Sequence, residues 1–246
     1  MPAHGKQGEK TARRPAHRAG APAGRSRTGE VVVVKFRRNK MDTKRQMDSI
    51  WIAPRRNGGN WTIQDYKALD FSKEEDWQTA IQMFEDRIRG RFLDIVEQIK
   101  SYPYAGFAIM ALDCLLIETL EQFKQGKEET KRGETKTYFK NFLTQTAFVE
   151  DFDKETAELF YTHIRNGILH QAEIKGSSRI RIDTPKMVEK AEDGQGLIIN
   201  RDLFHKKLMS VFENYLKELH EGKDQTLRDN FRNKMNAICH VSTGGN

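Results

Sequence analysis

The feature that most constrains the fold is a run of nearly all apolar residues at positions 107–120. A helix that is apolar around most of its circumference is stable in water only when other elements surround it. The run follows Pro103, a residue favoured in the first turn of a helix, and precedes Gly126, a residue favoured at helix ends. We therefore predict a helix from Pro103 to about Lys124 that is central in a bundle.

Apolar residues at three- and four-residue spacings predict further helices around the central one. Ser72 followed three positions later by Glu75 matches a capping box, so the first helix is expected to begin there. Asp153 is a favourable N-cap and Gly176 a favourable stop for the fourth helix. In addition to the central helix, the predicted helices cover residues 72–101, 137–146, 154–175, 200–220 and 224–240.

Two segments outside these helices have other patterns. Residues 179–182 alternate between arginine and isoleucine, and residues 196–199 follow a turn-rich linker, so we expect a small β-hairpin or extended flap. Residues 41–71 match neither the helix period nor the strand period, so we expect an irregular lead-in segment. Its aromatic residues are expected to pack on the bundle, and stacking on nucleobases is the alternative. The predicted fold class of residues 72–240 is all-α, a five- to six-helix bundle with the flap inserted before the late helices.

The positive charge of the chain is confined to its beginning. Residues 1–40 hold 11 of the 42 basic residues and 2 of the 35 acidic ones, so their net charge is +9 and that of the rest is −2. A tail rich in Ala, Gly, Arg and Pro buries too little apolar area to offset its ordering entropy, so we expect it to be disordered. It is either an arm for phosphate backbones or a non-native upstream extension, and the composition change at Met41 favours the extension.

The cysteine content and the hydropathy of the chain indicate in which cellular compartment the protein is expected. Cys114 and Cys239 are too few for a disulfide framework or a zinc site, which fits a reducing compartment. No signal-peptide pattern opens the chain, and the longest apolar stretch, residues 104–117, is too short for a membrane span and contains Asp113. We expect a cytoplasmic protein that does not enter membranes.

The fourth helix carries the residues with the most chemistry. On an α-helical wheel, five residues of this helix fall along one polar stripe. Arg165 lies one position off the stripe, but its long side chain can reach back to it. Gly167 lies in mid-helix, where glycine costs roughly 1 kcal/mol relative to alanine, so a close approach of another backbone or of a phosphate is expected there. The stripe consists of His163, Asn166, Gly167, His170 and Glu173.

The segment Arg165-Asn166-Gly167-Ile168-Leu169-His170 lies on the fourth helix, after an almost wholly apolar second helix that contains Leu112-Asp113-Cys114-Leu115-Leu116-Ile117-Glu118. This combination resembles the HEPN superfamily (higher eukaryotes and prokaryotes nucleotide-binding). The resemblance covers roughly residues 72–220. It implies a metal-independent endoribonuclease whose active site forms where the motifs of two protomers meet in a homodimer. It also implies RNA as substrate, and it permits a toxin or phage-defence effector with an antitoxin or defence-system partner.

The resemblance assigns roles to individual residues. Arg165 and His170 would be catalytic, and Asn166 would position His170 or the phosphate. Histidine can take the proton of the 2′-OH or return one to the leaving 5′-oxygen, and arginine can stabilise charge on the phosphate oxygens. No metal and no cofactor is then needed, and the expected products have 2′,3′-cyclic phosphate and 5′-hydroxyl ends. One departure is Ala172, where a toxin subfamily has a tyrosine that a partner enzyme modifies, so control by that route is not expected.

Further residues are expected to support this site. Glu118, an acidic residue on the apolar helix, is either a partner that holds Arg165 or a simple boundary residue. His163, Glu173 and Lys175 are candidates for supporting or substrate-binding roles. The seven-residue spacing of His163 and His170 lacks a third ligand, so we predict no metal site. The basic residues at 127–136 and at 206–207 are expected to be solvated, with RNA backbone binding as the alternative.

Other readings of the same residues stay open. His170 is alternatively a hydrogen-bonded surface residue, and Arg165 an ordinary ion-pair donor to Glu158. The alternative function is a non-catalytic HEPN-like helical module that binds nucleotide, RNA or a partner protein. A DNA-binding regulator that uses the basic tail has no helix-turn-helix pattern to support it.

Overall fold

The computed structural model describes residues 46–241, and within this range the chain is mostly helical with two small β-sheets. The predictions for residues 1–40 and for Met41 as the natural start concern residues outside the described range. The elements in chain order are β1 (Trp51–Pro54), β2 (Asn60–Thr62), α1 (Ile63–Lys67), α2 (Glu74–Ile88), α3 (Asp94–Ile99), α4 (Gly106–Gln125), α5 (Thr135–Gln145), α6 (Lys154–Leu159), α7 (Asn166–Gln171), β3 (Arg179–Arg181), β4 (Val188–Lys190), β5 (Leu197–Asn200), α8 (Arg201–Glu221) and α9 (Gln225–Ile238).

Helix α4 is the predicted apolar helix, and Gly126 ends it in the left-handed conformation at φ 63°. It begins at Gly106 rather than Pro103, because the preceding residues form turns in which the Ala105 N–H bonds to the Tyr102 carbonyl. The expectation that the helix is surrounded on all sides is wrong on one face, where Phe107 and Leu115 are 39% and 45% exposed. The other elements cover the opposite face, where Met110, Cys114 and Ile117 are buried.

The predicted first helix corresponds to α2 and α3, which follow one another without a break in helical structure. A π-helical segment, Arg89–Leu93, joins them. The predicted capping box at Ser72 is wrong. The N-cap is Lys73, which has no side-chain cap bond, because the Ser72 hydroxyl instead donates to Asp70 Oδ1 at 2.7 Å. The first turn of α2 still carries three acidic residues, which interact favourably with the positive end of the helix dipole.

The motif helix also contains a π-helical segment, Phe160–Arg165, between α6 and α7. Asp153 caps α6 as predicted, in a capping box with Thr156. The helix stops earlier than expected, because Ala172 adopts a left-handed conformation at φ 52° and the Glu173 N–H bonds back to the Gly167 carbonyl. Gly176, the predicted stop, lies beyond this reversal.

The predicted hairpin between residues 179–182 and 196–199 is wrong. Strands β3 and β5 do pair, but in parallel, with Ile180 opposite Ile199. The antiparallel partner of β5 is β4, which the sequence pattern did not indicate, so the sheet order is β3-β5-β4. Parallel neighbours need a crossover rather than a tight turn, and the linker that contains β4 provides it.

The lead-in is more regular than predicted. Strands β1 and β2 form an antiparallel hairpin, and α1 follows with a capping box formed by Thr62 and Asp65. Tyr66 is buried and Trp61 packs partly against the core, as expected, whereas Trp51 is 67% exposed. Phe71 also packs against the core, so three of the four lead-in aromatics pack on the bundle.

Helices α8 and α9 complete the bundle, and their bounds lie near the predicted ones. Their N-caps are Asn200 and Asp224. Phe84 of α2 connects the packing, since its ring contacts Phe123, Phe212 and Phe231 at centroid distances of 4.3, 5.8 and 5.5 Å. These rings belong to α4, α8 and α9. One aromatic cluster thus holds four helices together. In the described part of the chain, no helix combines the length and apolarity needed to cross a membrane.

The Phe84 cluster gives a stability prediction. Phe84 is fully buried, so Phe84→Ala removes contacts to three helices at once and leaves a cavity. We expect the free energy of unfolding, measured by urea denaturation, to fall by about 3–5 kcal/mol. Val149→Ala, at a side chain that is 56% exposed, is the control and should change it by no more than about 0.5 kcal/mol. Equal effects of the two changes would show that Phe84 does not hold the core.

Candidate active site

The side chains of Arg165, Asn166 and His170 are in contact. Arg165 closes the π-helical segment, and Asn166 and His170 belong to α7. Arg165 Nη1 donates to Asn166 Oδ1 at 3.0 Å and lies 3.2 Å from His170 Nε2. The arginine therefore reaches along the helix to the histidine, as its length predicted, and the three polar residues of the motif form one cluster.

Glu118 of α4 holds the other side of the guanidinium, with Arg165 Nη2 donating to Glu118 Oε2 at 3.2 Å. The pair predicted from the sequence is therefore present, and its side chains are only 13% and 19% exposed. The Arg165 guanidinium carbon also lies 5.7 Å from the ring centroids of both Phe139 and Tyr161, within cation–π range. The alternative partner Glu158 pairs with two lysines of the α5 region instead.

The cluster fixes the proton arrangement on His170. A guanidinium group can only donate, so Nε2 of His170 accepts, and a neutral imidazole then carries its proton on Nδ1. His170 is exposed, whereas Arg165 and Asn166 are partly buried. The site therefore presents an oriented imidazole to solvent next to a held positive charge. Such an arrangement can exchange a proton with a bound molecule and stabilise an anion beside it.

The remaining residues of the predicted stripe do not join this cluster. His163 Nδ1 lies 3.3 Å from Ser178 Oγ, on the side of the helix that faces the start of β3. The Glu173 carboxylate accepts the N–H of Ile174, and the backbone N–H of Lys175 donates to the His163 carbonyl. The wheel was wrong here because it continued α-helical periodicity through the π-helical segment and beyond Ala172.

Gly167 allows another part of the backbone to approach, which is one of the two reasons expected for it. A Cβ at this position would lie 2.3 Å from the Glu173 carbonyl oxygen and 3.1 Å from the Ile174 Cα. Phe160, Ile164 and Ile168 are buried on the core side of the same helix. The motif is thus fixed to the core on one side and to the returning chain on another.

The sequence analysis missed a second polar pair, between His205 of α8 and Asp113 of α4. His205 Nδ1 lies 2.7 Å from Asp113 Oδ1, and both residues are buried. Burial raises the pKa of the Asp113 carboxyl, and the hydrogen bond from His205 opposes this rise. A histidine on the apolar face of α8 together with an aspartate in an apolar run was the available signal. The pair joins the two longest helices of the described chain.

The cysteines and the basic runs take no part in the site. Cys114 and Cys239 are buried, and burial raises the pKa of Cys239 to about 12, so its thiol is a poor nucleophile at neutral pH. Lys207 pairs with Asp151 and Glu150, and Lys136 with Glu158. Within residues 46–241, no group of three or more His, Cys, Asp or Glu side chains is arranged to hold a metal.

His170 is the exposed member of the cluster. Of five clefts in the described part of the chain, none is lined by Arg165, Asn166 or His170. Small-molecule sites are usually concave, so a second surface must cover these side chains if they are to enclose a substrate.

No family model matches the chain, and no curated protein sequence and no solved structure is significantly similar to it. The resemblance to the HEPN superfamily therefore stays a prediction from the motif. What bears on function is the geometry of the motif side chains.

The close contact at Gly167 gives a second stability prediction. Gly167→Ala should lower the free energy of unfolding by about 1–3 kcal/mol, although alanine is the better helix former, because the new methyl group meets backbone atoms that cannot move independently. Chemical denaturation monitored by circular dichroism measures the change.

Ala172→Gly is the matched control, with the opposite expected sign. Ala172 has a left-handed backbone that glycine adopts without strain, so this change should raise the free energy of unfolding by up to about 1 kcal/mol. Stabilisation by Gly167→Ala would mean that helix propensity outweighs the contact.

Proposed function

We propose that this protein is a metal-independent endoribonuclease of HEPN type that acts as a homodimer. The observation that carries the proposal is the Arg165 guanidinium, which is held by Glu118 and contacts both Asn166 and His170. These are the three residues to which the motif assigns roles. An arginine that served only as a structural ion-pair donor would have no need of the exposed histidine.

The proposed reaction is a transesterification within the RNA strand. The 2′-oxygen attacks the adjacent phosphorus while the bond from phosphorus to the 5′-oxygen breaks. The His170 imidazole accepts the 2′-OH proton at Nε2 once Arg165 Nη1 has turned from Nε2 to the phosphate, and the imidazolium returns a proton to the leaving 5′-oxygen. Arg165 stabilises the charge that develops on the non-bridging oxygens, and Asn166 orients Arg165 through its Oδ1. RNA supplies the nucleophile, so this scheme needs no metal or cofactor.

The homodimer is supported by the uncovered face of α4. Phe107 and Leu115 are 39% and 45% exposed, and with Ala111 they follow a three- and four-residue spacing that leads to Glu118. Exposed apolar surface of this kind often marks an interface, and a two-fold dimer buries the same patch of both copies. A second copy on this face would bring two motifs together and enclose the open cluster.

The proposal extends to a cellular partner. An endoribonuclease that cuts cellular RNA harms its own cell unless it is restrained, so a toxin or phage-defence role with an antitoxin or defence-system partner is part of the proposal. Ala172 lacks the hydroxyl that modification of a tyrosine would require. Restraint would therefore act by binding rather than by modification at that position.

Cleavage of structured and unstructured RNA in EDTA tests the activity. Arg165→Ala and His170→Ala should each lower the rate at least about 100-fold, because one removes charge stabilisation and the other the proton carrier. The wild-type products should end in 2′,3′-cyclic phosphates, which end-group analysis identifies.

Arg132→Ala and His220→Ala, at exposed positions outside the cluster, are the matched controls and should cut normally. RNA that is bound but not cut by the wild type would favour the non-catalytic module. Activity that survives both motif substitutions would refute the assignment of these residues.

A mixing experiment tests the composite site. If each reaction uses Arg165 of one protomer and His170 of the other, mixing the two inactive variants should restore a substantial part of the wild-type rate. If both residues act from the same protomer, the mixture should stay inactive. Analytical ultracentrifugation of the wild type reports whether the dimer forms at the assay concentration.

Glu118 is proposed as a positioning residue. Glu118→Gln keeps the size of the side chain but removes the charge that holds Arg165, so we expect kcat to fall about tenfold, equivalent to ~1.4 kcal/mol, with a smaller change in KM. Glu121→Gln is the control on the same helix. Burial raises the pKa of the Glu121 carboxyl, so a neutral side chain fits that environment. Equal loss of activity in both variants would show a general effect on α4.

A further inference from the structure

A second candidate site lies at the beginning of α4, in a cleft of about 580 Å³. Three separate parts of the chain form it: the turn before α4, the segment from Ile174 to β3, and the first residue of α8. Its volume falls within the roughly 300–1,000 Å³ of small-molecule sites. None of its lining residues belongs to the Arg165 cluster.

The floor of the cleft carries positive charge from two sources. The first is the N-terminus of α4, a 20-residue helix with no side-chain cap and no acidic residue in its first turn. The N–H groups that begin such a helix have no partners within it, and the aligned peptide dipoles add partial positive charge. Helix starts of this kind bind phosphate.

The second source is Arg201, whose side chain is only 4% exposed. Its Nη2 donates to the carbonyl of Lys100 at 3.0 Å, and its Nε has no hydrogen-bond partner in the described structure, with Asp202 Oδ1 at 3.4 Å. Gly106 admits the guanidinium, because a Cβ there would lie 3.5 Å from Arg201 Nη1. A buried cation without a hydrogen-bonded carboxylate favours binding of an anion.

The rim of the cleft adds two arginine side chains that can close over a ligand. Arg179 and Arg181 are exposed on β3, on the same side of the cleft. Arg181 is bound to Asp183 by two hydrogen bonds of 2.8 and 2.6 Å, whereas Arg179 donates only to backbone carbonyls. The one acidic residue of the lining is thus already paired, and the lining keeps a net positive charge.

The walls are apolar and aromatic. Tyr104 and Phe107 are exposed, and Ile180 and Ile182 of the β3 segment also line the cleft. Aromatic rings in a basic cleft can stack on nucleobases. A ligand for this cleft therefore combines an anionic group with a flat aromatic one.

We propose that this cleft binds a nucleotide, with the phosphate at the start of α4 beside Arg201 and the base against Tyr104 and Phe107. Arg179 and Arg181 close over the phosphate from the rim. A free mononucleotide and the phosphorylated end of an RNA strand both present this chemistry. The site uses none of the motif residues. It shares Phe107 with the α4 face proposed for the homodimer, so the oligomeric state is measured alongside ATP binding.

Binding of fluorescent ATP to the full chain tests the proposal, with unlabelled ATP, AMP, pyrophosphate and short RNAs with and without a 5′-phosphate as competitors. The double change Arg179→Gln and Arg181→Gln should weaken ATP binding at least about tenfold, and Tyr104→Ala should weaken it for ATP but not for pyrophosphate. Both changes are on exposed side chains, so the fold is retained.

Arg132→Gln is the matched control and should bind as the wild type does. Arg165→Ala should also bind ATP normally, which separates this site from the ribonuclease site. Competition by AMP but not by RNA identifies a free nucleotide as the ligand, and preference for 5′-phosphorylated RNA identifies a strand end. Absence of ATP binding, equal affinity for pyrophosphate and ATP, or indifference to the arginine changes would overturn the proposal.

Discussion

Helix α4 carries more apolar surface than the described chain covers, and the arrangement of the other elements follows from that imbalance. One face is buried by α2, α8 and α9 through the Phe84 cluster, and another by the motif helix. The few polar residues of α4 therefore lie at defined boundaries. Asp113 meets His205 in the interior, and Glu118 meets Arg165 at the edge.

Both proposed sites draw on this helix, but in different ways. At its middle, Glu118 places a guanidinium where an exposed histidine can use it. At its start, the uncapped helix N-terminus and the buried Arg201, whose Nε makes no hydrogen bond and lies 3.4 Å from Asp202 Oδ1, provide positive charge. A rigid, deeply packed helix is a suitable base for both, since functional groups need supports that do not move.

The predictions from the sequence were correct for structure that local periodicity determines. They failed for contacts between segments that lie far apart in the chain. The helices were found because apolar residues recur every three or four positions, and Glu118 was found because a carboxylate in an apolar run needs a partner. Ser72 was misread because its hydroxyl has a closer acceptor in Asp70. The parallel pairing of β3 with β5 and the cleft at Arg201 join residues far apart in the chain, and no local pattern encodes such contacts.

The π-helical segment Phe160–Arg165 has a consequence for how this site can change in evolution. A π-helical turn holds about one residue more than an α-helical turn, and it corresponds to a single-residue insertion. Because the wider turn absorbs the extra residue, the residues on either side keep the orientation that an uninterrupted α-helix would give them. Forcing residues 160–165 into α-helical geometry without removing a residue would rotate everything after them by about 100° relative to the buried Phe160. Arg165 and His170 would then leave Glu118 together while keeping their spacing. The contact with Glu118 thus depends on the wide turn itself, and removal of one residue from the segment is the change that makes the turn unnecessary.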